Sequence, residues 1–213
     1  MKIRNYHFLF AALTAQLFLF ACNGIPKSDK KEADESHEHH HKPSKNADAY
    51  IDSLNKGLVK VDSLKGSPQR IAMTNVGDAH IHISYRSPGV KDRVIWGGLV
   101  PYNQVWVTGA HSATSISFSH SVKIANQHVE AGTYAIFTIP GEDEWIFILN
   151  KNYRQHLADD YDEKEDVLRI NVKPEQHDMT QRLTYEVIDS GENHGTVSIA
   201  WEKLKLAIPF VVQ

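Results

Sequence analysis

Imidazoles carry the first chemistry this chain offers. His37, His39, His40 and His41 fall within five residues around Glu38. Neutral imidazoles are good ligands for zinc, copper and nickel. Four of them in one short stretch can chelate Zn or Cu without any fold, although the bland reading is a hydrated, His-rich linker. A second pair, His80 and His82, lies two residues apart in an alternating segment. Residues at that spacing share one face of a strand. They would make half of a metal site on a β scaffold, with His111, His120, His128 or Glu130 as conceivable third ligands. Strand alternation alone also accounts for them, as polar residues on a solvated sheet face.

Aromatics and amides give the second chemistry. Trp96, Tyr102 and Trp106 stand in a Gly- and Pro-containing stretch that ends at Thr108-Gly109-Ala110-His111. Ring faces beside hydrogen-bonding groups suit sugars and other amphipathic ligands. Arg86, just before Ser87-Pro88-Gly89, is placed to approach the same end of the domain. The competing reading has these rings filling the core. Nucleophilic catalysis has little support. Ser112, Ser115, Ser117, Ser119 and Ser121 alternate along a strand, and neither a GxSxG elbow nor an HExxH zincin helix is expected. Glu142-Asp143-Glu144 follows Pro140-Gly141 and reads as an exposed turn.

The third group is a thiol. Cys22 is the single cysteine and closes Leu19-Phe20-Ala21-Cys22. Lys2 and Arg4 open the chain, and Phe8 to Ala21 is apolar except for Thr14 and Gln16. This is the layout of a bacterial export signal over residues 1–21, and its end resembles the lipobox of lipoproteins. The implied chemistry is diacylglycerol on the Cys22 sulfur, cleavage before it, and acylation of the new amino terminus. The expected mature protein is anchored to a membrane by lipid, outside the cytoplasm. A transmembrane helix needs about 20 apolar residues, more than this run supplies. One thiol makes no internal disulfide and no Cys-based metal site.

Removing residues 1–21 takes away two cations and no anion, so the formal charge moves from −3 to −5. An acidic chain does not attract nucleic acid, which needs a basic surface. No nucleic-acid partner is expected.

The elements that must position these groups follow from local pattern. Residues 22–47 are polar and His-rich and read as a tether, with an r.m.s. span of about 25–30 Å as a flexible coil. Residues 48–65 are expected to hold a short helix or linker. Asp48 could cap that helix, with Ile51, Leu54 and Leu58 on its apolar face. Residues 66–213 change to period two, in many short segments separated by turn signals such as Gly77-Asp78, Asn126-Gln127 and Gly191-Glu192-Asn193. That argues an all-β, antiparallel β-sandwich, jelly-roll-like. The unbroken apolar run Trp145 to Leu149 predicts a central strand covered on both faces. Asn152 to Glu165 reads as a partly helical loop over one edge.

Three pieces of this domain occur in a recognisable order: KGSPQRIAMTNVGDAHIHISYRSPGVKDRVIWGGLVPYNQVWVTGAHSAT, then VEAGTYAIFTIPGEDEWIFILNK, then YDEKEDVLRINVKPE. Over about residues 66–209 the chain resembles the bacterial family catalogued as domain of unknown function 2911. The resemblance implies a secreted or lipid-anchored β-sandwich with no assigned activity, and it supplies no catalytic residues to carry over. The expectation is therefore a non-catalytic envelope or cell-surface module. Its partners would be the membrane, through Cys22, and a carbohydrate or other envelope ligand. A Zn- or Cu-handling lipoprotein and a hydrolase-like enzyme with a His-based metal site are the alternatives.

Overall fold

A computed structural model of the protein describes residues 45–213. One helix, α1 (Lys45–Asn55), precedes ten strands. These are β1 (Gln69–Val76), β2 (Ala79–Arg86), β3 (Thr114–Phe118), β4 (Val122–Ile124), β5 (Gln127–Val129), β6 (Gly132–Ile139), β7 (Trp145–Asn150), β8 (Asp166–Val172), β9 (Glu175–Gly191) and β10 (His194–Val212). They form two antiparallel sheets, ordered β1-β2-β3-β6-β7-β8 and β5-β4-β10-β9. The fold is an all-β sandwich. Tight turns set the hairpin registers. Ala125 and Asn126 join β4 to β5, and Glu192 and Asn193 join β9 to β10, all four with positive φ. That is the type I′ geometry whose twist matches the flanking strands.

Alternation decides what each sheet buries. In β2, Ala79, Ile81, Ile83 and Tyr85 are buried while His80, His82, Ser84 and Arg86 point out. The core joins Ile81, Ile116, Ile136 and Phe147 of one sheet to Leu183, Ile199, Trp201 and Phe210 of the other. A second cluster lies on the opposite face of β6 and β7. There Ala135, Phe137 and Ile148 meet Val107, Ala113, Tyr153 and Tyr161. β7 is thus covered on both faces, as its apolar run predicts. The loop after β7 is irregular apart from one 3-10 turn at Glu163–Glu165, and it covers this face. Phe137 and Ile148 need that cover, because apolar side chains left in water cost about 1.5–3 kcal/mol each. The Tyr161 hydroxyl fastens the loop by donating to Asp166 Oδ2 at 2.7 Å. Burial and the Asp166 carboxylate push that phenol well above its ordinary value.

The helix starts earlier than its sequence indicates. Asp48 lies inside α1 and accepts from Arg70 Nε at 2.8 Å, while Asp52 accepts from Arg70 Nη2 at 2.7 Å. Ile51 and Leu54 are buried, but Leu58 lies past the helix end and is 76% exposed. Gly57, at φ +71°, terminates the helix in the left-handed region. Asn55 then docks on β9 in the manner of a strand partner. Its amide donates to Arg182 O at 3.1 Å and accepts from Arg182 N at 2.9 Å.

Arg182 completes this attachment. Its side chain is 0% exposed and faces Asp62, whose side chain is 4% exposed. Nη1 donates to Gly66 O and Ser87 O at 3.0 and 2.9 Å. Nη2 donates to Asp62 Oδ1 at 3.1 Å and to Leu64 O at 2.5 Å. Nε and Asp62 Oδ2 stand 2.9 Å apart, but bent outside hydrogen-bond alignment, so this contact is mainly one of charge. Gly89 permits the approach, because a Cβ there would collide with Asp62 Oδ2. The segment between α1 and β1 is therefore strapped into the sandwich.

Candidate functional site

The outer face of the six-stranded sheet is divided. Loops cover β6 and β7, whereas β1, β2 and β3 remain uncovered there. Cross-strand register builds a lattice on the uncovered half. Gln69 pairs with Arg86, Ile71 with Ser84, Met73 with His82, and Asn75 with His80. Ser84 in turn pairs with Ser115, and His82 with Ser117. Strand pleating puts all of these on one face. Gln69 Nε2 donates to Ser84 Oγ at 2.9 Å, and His80 Nδ1 meets Asn75 Oδ1 at 2.8 Å. Ser117 and Thr133 share a hydroxyl–hydroxyl bond of 2.8 Å. Exposed Ile71 and Met73 give the lattice an apolar margin. Arg86 is its only permanent charge, and no carboxylate occurs on these outward positions of β1, β2 and β3.

A step borders the lattice where the covering loop begins. Gln69, Ser84, Tyr85, Arg86, Ser112 and Ala113 enclose a cleft of about 70 Å³ there. The step is held by backbone pairing: Leu157 N donates to His111 O at 2.6 Å, and Ser112 bridges to His156. His111 is exposed, with φ +63°. Burial raises the Tyr85 phenol above its ordinary value, with the Arg70 guanidinium opposing. The Tyr85 ring itself is buried on the opposite face of β2, against Tyr185.

The expected aromatic cleft has a different form. Trp96 and Trp106 pack against the inter-sheet core together with buried Trp145 and Trp201. Trp96 lies 4.6 Å from Trp145 and 5.7 Å from Trp201, edge to face, and Trp106 stacks on Trp201 at 5.7 Å. The void among the four rings is about 10 Å³, room for roughly one water. Trp106 Nε1 donates to Gly109 O at 3.1 Å. The other three indole N–H groups find no acceptor among the described residues, and neighbouring ring faces are the weak acceptors around them. Tyr102 lies apart from this cluster, its ring resting on Gly97 (φ +75°), where an added Cβ would come 2.8 Å from Cε2. Of the five proposed ligand contacts, Arg86 and the neighbour of His111, Ser112, share one cleft. Trp96 and Trp106 are half-buried and pack against the core.

Residues 67–210 match the family described as protein of unknown function (DUF2911). The chain belongs to that family. No curated protein and no solved structure matches it. In this DUF2911 protein the whole open lattice lies inside the matched range. The helix α1 and Asp62 lie before it, although Arg182, inside it, depends on them.

The histidines divide in the same way. His80 and His82 stand with ring centroids 6.4 Å apart on the DUF2911 sheet. Among the described residues, no group of three His, Cys, Asp or Glu is placed to hold a metal ion. His120 pairs with Ser119, whose hydroxyl also accepts from His80 N at 2.8 Å, and His128 pairs with Gln213 and Glu130. Cys22 and the tract His37, His39, His40, His41 lie outside the described residues. Sequence reasoning missed Gln69, Ile71, Met73, Ser84 and Ser115 as partners of Arg86. Their signal was present, since each is an outward position of β1, β2 or β3. Only strand order shows that they adjoin.

Proposed function

We propose that this protein is a lipid-anchored envelope module that binds a polyhydroxylated ligand on the open half of its outer sheet. The anchor is lipid on Cys22, and the tract between it and α1 gives the domain reach beyond the membrane. One observation carries the binding reading: the loops cover β6 and β7 but leave the β1–β3 lattice open, with a cleft at the boundary. Hydroxyls, amides and imidazoles at strand spacing match the hydroxyl groups of a carbohydrate chain. Ile71 and Met73 offer apolar surface to the C–H face of a sugar ring. With Arg86 as the lone permanent charge, the lattice favours neutral or acidic glycans over basic ligands.

Titration with soluble envelope oligosaccharides, neutral and acidic, tests the reading. The expected result is saturable binding that falls by about tenfold or more in Arg86→Ala/His82→Ala, with unchanged thermal unfolding. Equal binding by that variant refutes the assignment of this face. The anchor is tested separately. Cys22→Ser should move the protein from the membrane to the soluble fraction, and mass spectrometry of the mature amino terminus should find acylated Cys22. An intact Met1 refutes it.

A further inference from the structure

A second cleft lies on the other sheet. It opens between α1 and the outer face of β9 and β10 and has a volume of about 330 Å³, within the range of small-molecule sites. Every residue lining it is polar except Ala200. The helix side supplies Asp52 and Lys56, and the sheet side supplies Glu186, Lys205, Thr180 and Ser198. Among the described residues, neither ammonium lies within ion-pair distance of a carboxylate, and Glu186 has no cationic partner. Asp52 already accepts from Arg70, which leaves Glu186 as the principal acceptor for a bound cation. On the sheet side, Ser198 is only 3% exposed and lines the cleft without a hydrogen-bond partner among the described residues.

We infer that this cleft binds a small zwitterion of the amino-acid or short-peptide class. The ligand's ammonium would meet Glu186, and its carboxylate would meet Lys56 or Lys205, with the Ser198 hydroxyl as a further donor. Charges of both signs that do not satisfy one another complement a ligand carrying both, whereas a singly charged ligand leaves one sign unmatched. The walls are set before binding. Asn55 ties the end of α1 to Arg182 and Thr184 of β9, and Ile51 and Leu54 anchor the helix in the core. A site held this way loses little freedom on binding. Asp52 and Lys56 precede the family-matched residues, so the cleft is composite, part family domain and part the segment before it. It is independent of the β1–β3 lattice, which lies on the other sheet.

Calorimetric titration of the full chain with the dipeptide Ala-Ala, its N-acetylated form and its C-amidated form tests the inference. Ala-Ala should bind saturably, and each capped form about tenfold or more weakly. Glu186→Gln should weaken Ala-Ala but leave the N-acetylated form unchanged. Lys205→Met should weaken Ala-Ala but leave the C-amidated form unchanged. Both side chains are outward-facing, so thermal unfolding should match the parent. Failure of both Ala-Ala and free alanine to saturate overturns the inference. So does equal affinity for the capped forms, or indifference of Ala-Ala binding to both substitutions.

Discussion

Replacing Asp62 with Ala removes the only carboxylate that, among the described residues, faces a guanidinium that is 0% exposed. Arg182 would keep three acceptors, the carbonyls of Leu64, Gly66 and Ser87, but would lose its counter-charge. Leu64 N would also lose its bond to Asp62 Oδ1. Removing one partner of a buried ion pair costs about 3–5 kcal/mol, because the remaining charge is left uncompensated. Against a domain stability of about 5–15 kcal/mol that is a large fraction. With a urea slope near 2 kcal/mol per molar, the midpoint should fall by about 2 M. The four clustered tryptophans provide the fluorescence signal. Asp62→Leu/Arg182→Met, which removes both charges, should recover about 2 kcal/mol or more relative to Asp62→Ala. As a control, Glu163→Ala breaks the 3.6 Å contact of Arg169 with a carboxylate that is 73% exposed, and should cost under about 1 kcal/mol. A chain beginning at residue 67 lacks Asp62, Asn55 and the buried Ile51 and Leu54. It should not unfold cooperatively. An Asp62→Ala midpoint close to the parent's, or a double variant no better than the single one, refutes the reasoning.

Two further outcomes follow from local geometry. Gly89→Ala places a methyl against Asp62 Oδ2 and 3.4 Å from Arg182 Cζ, so urea unfolding should show a loss of about 1–3 kcal/mol; an unchanged midpoint would mean that the strap yields freely. His128 is held above its ordinary pKa by its hydrogen bond with Gln213 first and Glu130 second. A pKa raised on folding adds stability that is fully present below the unfolded value of about 6.5 and fades as pH rises through the folded value. Proton NMR should show the His128 ring titrating above the ordinary range, and Glu130→Gln should lower it; a downward shift in the parent would contradict the geometry.

Much of the fold was legible because strand pattern is local. The alternation from Ile81 to Tyr85 identifies the buried face of β2, and with it the outward placement of His80, His82 and Arg86. The apolar run at Trp145 to Leu149 marks a doubly covered strand. Helix limits were less legible. Asp48 has the residue type of a cap, but Arg70 of β1 claims its carboxylate. Leu58 has helical spacing, but Gly57 ends the helix before it.

Residue order alone determined which side chains share a face, since successive Cβ atoms on a strand point to opposite sides whatever the strand packs against. It also determined where chain reversal falls, through residues that tolerate positive φ. Tertiary structure decided the rest. Arg182 meets an aspartate 120 residues earlier, and no local period records such a pairing. The fate of the aromatic stretch was likewise decided at long range. Trp96 and Trp106 pack, half-buried, against the core because Trp145 and Trp201, on β7 and β10, supply ring faces for them. Which half of the outer sheet stays open depends on loops from two distant stretches that seek cover for Phe137 and Ile148. Burial of apolar area favours that closure, and it acts between residues that only the folded chain brings together.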